Sequence, residues 1–198
     1  MTPELRVWQA TARAPIWEAT EAELEAQRLP PPFWAFPWAG GQALARFLMD
    51  APEHAAGRRV LAFGCGGGLE ALAAARVGAA EVWANDVDPV ALVAASMNAE
   101  ANGLSLRVAP GDLLDGAPAP PVDLILVGDA FYERALSARI LRWLEGQVAR
   151  GAEALIGDAG RGMVPDGLRR MAVHEVPTPR ALEDRDARMA SVWRLGRR

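Results

Sequence analysis

Val60-Leu61-Ala62-Phe63-Gly64-Cys65-Gly66-Gly67-Gly68-Leu69-Glu70-Ala71-Leu72-Ala73-Ala74-Ala75 reads as an apolar strand running into a glycine turn and out into a helix. Four glycines within Gly64–Gly68 let main chain approach a ligand closely, at the amino end of a helix whose dipole is positive there. A second apolar strand, Glu81-Val82-Trp83-Ala84, ends on Asn85-Asp86. An acid roughly 20 positions beyond such a turn stands where it can hydrogen-bond a ribose. The combination predicts a nucleoside cofactor on a doubly wound sheet and leaves open which one.

Strands and helices alternate outward from this stretch. Helices are expected over Leu69 to Val77, Pro89 to Ala101 and about Leu136 to Val148, and strands over Leu106 to Ala109, Asp123 to Val127 and Ala152 to Ile156. Met171 to His174 and Ser191 to Arg194 are strand-like and suit a closing antiparallel hairpin. This predicts an α/β fold: a doubly wound, mostly parallel seven-stranded sheet with helices on both faces, and a ligand crevice at the strand carboxyl ends. Upstream, Thr20-Glu21-Ala22-Glu23 reads as a capping box opening a short helix to about Gln27, stopped by Pro30-Pro31-Pro32. Gln42 to Met49 is a further helix with Leu44, Phe47 and Leu48 on one face. The expected organisation is an extension over 1–40 covering the site and one catalytic domain over 41–198.

The 198 residues suit one domain, and 51% apolar with 23% charged is ordinary globular usage. No apolar run approaches the roughly 20 residues that span a bilayer, so no membrane partner is expected. Met1-Thr2-Pro3-Glu4-Leu5-Arg6 does not resemble a signal peptide, and the single cysteine, Cys65, suits a reducing compartment. A cytoplasmic protein is the expectation. All 21 basic residues are arginine, which removes any Walker, Schiff-base or general-base lysine. A net charge of −4 argues against a nucleic-acid partner, and Arg194, Arg197 and Arg198 read as a solvated tail. His54 and His174 have no companion cysteines, so no metal site is expected.

Three readings compete for the glycines. A P-loop fails for want of a lysine. A dinucleotide fingerprint starting at Gly64 places Leu69 where a small residue must pack, and one starting at Gly66 begins late. The G-x-G-x-G loop of S-adenosylmethionine enzymes fits Gly64, Gly66 and Gly68. Asp88-Pro89 reads as a helix cap with a first-turn proline, which leaves Asp86, with no such local task, as the ribose candidate. Asp112 follows the third strand and is either an acceptor for an adenine amino group or a turn residue.

Further motifs occur in order: Phe33-Trp34-Ala35-Phe36-Pro37-Trp38-Ala39-Gly40-Gly41-Gln42, the glycine loop, Asn85-Asp86-Val87-Asp88-Pro89 and Gly128-Asp129-Ala130-Phe131-Tyr132. With Ile156-Gly157-Asp158-Ala159-Gly160-Arg161 they resemble the lysine methyltransferases that modify the β subunit of electron transfer flavoprotein, over about residues 30 to 195. These are seven-strand, class I S-adenosylmethionine-dependent enzymes related to the ribosomal protein L11 methyltransferases. The resemblance implies S-adenosyl-L-methionine held by Gly64, Gly66, Gly68, Asp86, Asp112, Trp38 and Gly128. It implies catalysis by Asp129, which binds the amine, and Tyr132, which positions it, with Glu133 a weaker candidate. The implied partner is a protein substrate, electron transfer flavoprotein β subunit; the oligomeric state stays open. One departure stands out. The family carries an acid two positions before the first loop glycine, where it helps hold the methionine amino group, and this chain has Ala62. The consequence is weaker cofactor binding, rescue by a neighbour such as Glu70, or lost activity.

A lysine nucleophile must arrive neutral, although its ordinary pKa is about 10.4. A carboxylate such as Asp129 captures the ammonium without lowering that value, whereas drying by Phe131 and the tryptophans, Trp34 and Trp38 among them, lowers it. Two alternatives remain at this level. One is a small-molecule or nucleic-acid amine methyltransferase, since Asp129-Ala130-Phe131-Tyr132 is similar to a D-P-P-Y motif without its prolines. The other is a catalytically silent methyltransferase fold that acts as a binding module.

Overall fold

A computed structural model describes residues 1–10, 31–178 and 186–196. The helix expected after Thr20 lies outside the described residues, as do Arg197 and Arg198. Seven strands form one sheet: β1 (Arg59–Phe63), β2 (Glu81–Asp86), β3 (Arg107–Pro110), β4 (Leu124–Gly128), β5 (Glu153–Asp158), β6 (Arg169–Pro177) and β7 (Ala187–Leu195). Their order is β3-β2-β1-β4-β5-β7-β6. The first five run parallel, and β7 is antiparallel to both β5 and β6, which is the expected hairpin. The chain winds outward from β1 to β3, then returns to β4 beside β1. The switch point therefore lies between the carboxyl ends of β1 and β4, where Phe63 is level with both Asn85 and Val127.

The helices α1 (Ala39–Asp50), α2 (Leu69–Arg76), α3 (Pro89–Ala101) and α4 (Arg134–Ala149) cover the two faces. Strand side chains alternate between them. Val60, Ala62, Val82, Ala84, Leu124 and Leu126 pack with Leu44 and Leu48 of α1, Leu72 of α2 and Leu92 of α3. Leu61, Phe63, Ile125 and Val127 point the other way, against Ile140 and Leu144 of α4. Both faces are buried, so the central strands read as continuous apolar runs. The helix expected from Gln42 begins three residues earlier, at Ala39.

Two glycines allow α1 to lie on the sheet. A methyl group on Gly40 would stand 2.6 Å from the Gly157 carbonyl carbon and 2.7 Å from Asp129 Oδ2. One on Gly157 would stand 2.7 Å from the Gly40 carbonyl carbon and 2.8 Å from Leu44 Cγ. Main chain thus meets main chain where α1 crosses β5. Gly146, inside α4, is a contrast: a methyl group there would meet only Arg150 Nη1, at 3.8 Å. Gly146→Ala is expected to stabilise the protein by about 0.5–1 kcal/mol by removing unfolded-state freedom, read as a higher urea midpoint at unchanged slope.

The N-terminal residues lie on α3. Arg6 N–H donates to Asn102 Oδ1 at 2.9 Å, and Trp8 N–H donates to Asn98 Oδ1 at 2.6 Å. Asn98 Nδ2 in turn donates to the Gly67 carbonyl at 2.8 Å, so one buried side chain joins this segment to the glycine loop.

Candidate active site

The glycine loop closes at the switch point. Gly64, Gly66 and Gly68 have φ of 58°, 50° and 81°, the left-handed region that disfavours side chains. Gly68 is also the N-cap of α2, and a methyl group on it would stand 2.9 Å from Ala95 Cβ. Cys65 is buried, and desolvation pushes its thiol well above the ordinary value, so it fills the loop as an inert small residue.

Asp86 ends β2 with its side chain at this loop. Its Oδ2 accepts from Gly66 N–H at 2.9 Å and its Oδ1 from Asp88 N–H at 3.0 Å. The expectation that Asp86 has no local task is corrected: it ties the loop down. Burial raises its pKa. Asp88 is the expected cap of α3, accepting from Val90 N–H at 2.8 Å. Asp112 is engaged as a turn residue, with Oδ1 accepting from Leu114 N–H at 2.8 Å and Oδ2 3.7 Å from Arg139 Nη2.

Asp129 follows β4 at φ 51°, a left-handed non-glycine residue, with its N–H on the Gly157 carbonyl at 2.9 Å. Its Oδ2 accepts from Gly41 N–H at 2.8 Å, in the first turn of α1. Trp38, the N-cap of α1, makes no side-chain cap bond, so an acid 88 positions away serves instead. The residue is only partly buried, yet Oδ1 is sealed from solvent without a hydrogen-bond partner. Desolvation raises the carboxyl to about 6, against the lowering effects of Gly41 N–H and the Arg161 charge. The W-x-G-G-Q and D-x-F-Y motifs are therefore one structure. Asp158, at the end of β5, sits beside it: Oδ2 accepts from Gly160 N–H at 2.7 Å, Oδ1 is buried without a partner, and burial raises its pKa.

Tyr132 is 52% exposed, its ring 6.3 Å from that of Phe33, which lies 6.1 Å from the Trp38 ring. Arg161 stands over the Trp38 ring at 5.9 Å. Partial burial raises the tyrosine pKa, keeping the phenol protonated. Phe131 is not part of this aromatic mouth, contrary to expectation: it is fully buried in the α4-side core. Trp34 instead passes its main chain over the loop, its carbonyl oxygen 3.0 Å from where a Gly67 methyl group would be.

Glu133 is placed differently from its expected catalytic role. It is the N-cap of α4, accepting from Ala135 N–H at 2.9 Å and Leu136 N–H at 3.2 Å. Both oxygens are turned onto the helix end. Glu133→Ala is expected to cost about 1 kcal/mol of stability, and Glu133→Asp far less. Thermal melts measure the difference, with the turnover of the folded enzyme changed less than about twofold, well under the 1.4 kcal/mol of a tenfold effect.

Sequence reasoning assigned no role to Gly40, Gly41, Gly157, Asp158 or Phe33. The glycines carry no side-chain signal, and their use depends on which strand α1 crosses. Asp158 lies at the end of an apolar strand with no neighbouring residue that marks its role.

Gathered at one end of the sheet are Asp86, Asp129 and the buried Glu70, each with its pKa raised first of all by burial. A concentration of desolvated acid beside a left-handed glycine loop fits a nucleoside that carries positive charge. The architecture is that of a class I methyltransferase. Ribosomal protein L11 methylase from Lactobacillus delbrueckii subsp. bulgaricus shares the fold at TM-score 0.57 and 18% identity, over 82% of this chain and 81% of that one. The ribosomal protein L11 methyltransferase (PrmA) family matches residues 43–127. Electron transfer flavoprotein beta subunit lysine methyltransferase of Danio rerio is 39% identical over 98% of this chain and 76% of its own length. That of Xenopus laevis is 41% identical over 81% of this chain and 65% of its own length. The chain belongs to the electron transfer flavoprotein beta subunit lysine methyltransferase family.

Proposed function

We propose that this protein uses S-adenosyl-L-methionine to methylate lysine side chains of electron transfer flavoprotein β subunit. The observation that carries the reading is Asp129. It is an acid held in a left-handed turn, tied to α1 through Oδ2 with Oδ1 unengaged, beside an aromatic mouth formed by Phe33, Trp38 and Tyr132. The relatives' names supply the substrate class. Gly64, Gly66 and Gly68 would hold the cofactor's nucleoside moiety, with Asp86 at its ribose. When bound, the cofactor supplies an activated methyl group on a sulfonium centre.

The protein's own residues have three tasks. Asp129, ionised above about pH 6, seats the incoming ammonium. The aromatic mouth excludes water and so favours the neutral amine, opposing the carboxylate. Tyr132 keeps its proton and aligns the amine by hydrogen bonding, so its contribution is geometric. The amine's proton leaves to water or to a carboxylate.

The test is transfer of radiolabelled methyl groups from S-adenosylmethionine to purified electron transfer flavoprotein. Label on the β subunit, absent when its lysines are acetylated, is the expected result. Label on other lysate proteins but none on the β subunit overturns the substrate, and label on added nucleic acid or small amines overturns the class.

A further inference from the structure

We infer that Glu70 is the residue that binds the cofactor's amino-acid ammonium, standing in for the acid that this chain lacks at position 62. The inference rests on the S-adenosylmethionine reading above. Glu70 lies in the first turn of α2 and is 4% exposed. Its carboxyl reaches into the switch point between two glycines. A methyl group on Gly41 would stand 3.4 Å from Oε2, and one on Gly128 would stand 3.4 Å from Oε1. The amino end of α1 and the carboxyl end of β4 thus leave the oxygens uncovered by neighbouring side chains at those positions.

The charges that act on Glu70 are both negative: Asp129, beyond β4, and Asp86, on β2. The Cys65 thiol, in the loop itself, is held neutral first by its burial and then by Asp86 and Glu70. A buried carboxyl set among acids costs free energy to ionise, so it keeps its proton unless a cation joins it. Ala62 is wholly buried and packs in the same face of the sheet as α2, so the missing carboxylate and Glu70 address the same side of the sheet. Burial foremost, with the two acids and against the lowering effect of its own backbone N–H, raises Glu70 to about 8, so it holds a proton at neutral pH until a cation arrives. Seating an ammonium displaces that proton.

Calorimetry with two ligands tests this: S-adenosylhomocysteine, and 5′-methylthioadenosine, which keeps the adenine, ribose and thioether but has no amino acid. Glu70→Gln is expected to weaken S-adenosylhomocysteine about 10–100-fold, leaving 5′-methylthioadenosine within about twofold. The native protein at pH 7 should release close to one proton on binding S-adenosylhomocysteine, read from the dependence of the enthalpy on buffer, and Glu70→Gln none. Asp129 ionises near 6, so it contributes little of that release at pH 7. An unchanged preference between the two ligands in Glu70→Gln overturns the inference. So does a native protein that binds S-adenosylhomocysteine without releasing a proton, a result that needs no variant to fold. Native protein that binds neither ligand overturns the cofactor reading itself.

Discussion

Asp129→Asn is expected to lower kcat/KM for lysine methylation by about 100-fold while the protein stays folded, the size expected when a buried contact loses its charge. Asparagine tolerates the φ of 51° found here, and its amide oxygen can still accept from Gly41 N–H. What disappears is the charge on the unengaged oxygen. The acid limb of the pH profile discriminates this from a structural defect. Asp129 titrates near 6 in the folded protein, so native kcat/KM falls with acidity below pH 6. That limb vanishes in Asp129→Asn. The sign of the stability effect is opposite to that of a salt-bridged acid. A carboxyl whose folded pKa is raised above its unfolded value of 3.8 favours the native state as pH falls from 6 toward 4, and ionisation above 6 opposes folding. Neutral asparagine therefore carries no charge penalty at pH 7. Asp129→Ala is a poorer test, since it leaves Gly41 N–H uncapped and forces alanine into the left-handed region, together costing about 2–5 kcal/mol. A Tyr132→Phe variant measured alongside should lose kcat and retain cofactor affinity, because its phenol acts by alignment alone.

Gly157→Ala produces the largest expected loss of stability, about 3 kcal/mol or more. The added methyl group would occupy the place of the Gly40 carbonyl oxygen and press on Leu44 Cγ at 2.8 Å. Neither obstacle is the free end of a flexible chain: one is main chain in the first turn of α1, and the other a fully buried core residue. Relief requires α1 to lift from β5, which breaks the Asp129–Gly41 hydrogen bond as well. The variant should therefore lose activity in proportion to misplacement of Asp129 even where it remains folded at low temperature. Gly128→Ala is a graded comparison, with its methyl group 3.0 Å from Gly41 Cα and 3.2 Å from Gly41 N. Urea midpoints ordered Gly157→Ala below Gly128→Ala below native, with Gly146→Ala above native, would match the geometry. Equal midpoints for Gly157→Ala and native would refute the close approach of α1 to β5.

Asp129 and Glu133 illustrate different kinds of legibility. Both stand in one short motif, and the resemblance groups them as site residues. Only the folded chain shows that Glu133 is spent on the end of α4 while Asp129 reaches across to α1. Glu133 did carry a local signal, an acid immediately before a helical run, of the same kind as the Asp88-Pro89 cap. Asp86 has a task that its neighbours along the chain do not signal, because its bond to Gly66 N–H joins two loops distant in sequence.

The sequence alone determined what depends on neighbours along the chain. The left-handed glycine loop, the Asp88 cap, the apolar strands buried on both faces and the terminal hairpin follow from local backbone preference and side-chain periodicity. They sufficed for the seven-stranded α/β sheet and for a glycine loop at its switch point. At Ala62 the chain lacks the carboxylate that the family resemblance implies. Tertiary structure alone decided which distant groups share the space left there. Gly40 meets Gly157 and Asp129 caps α1 only because α1 crosses β5, and Glu70 lies between Gly41 and Gly128 only because α2 leaves the loop in that direction. The physical reason is that desolvation and close packing act through space. A carboxyl is ordinary in a helix sequence and becomes a strongly perturbed acid only when three elements close around it.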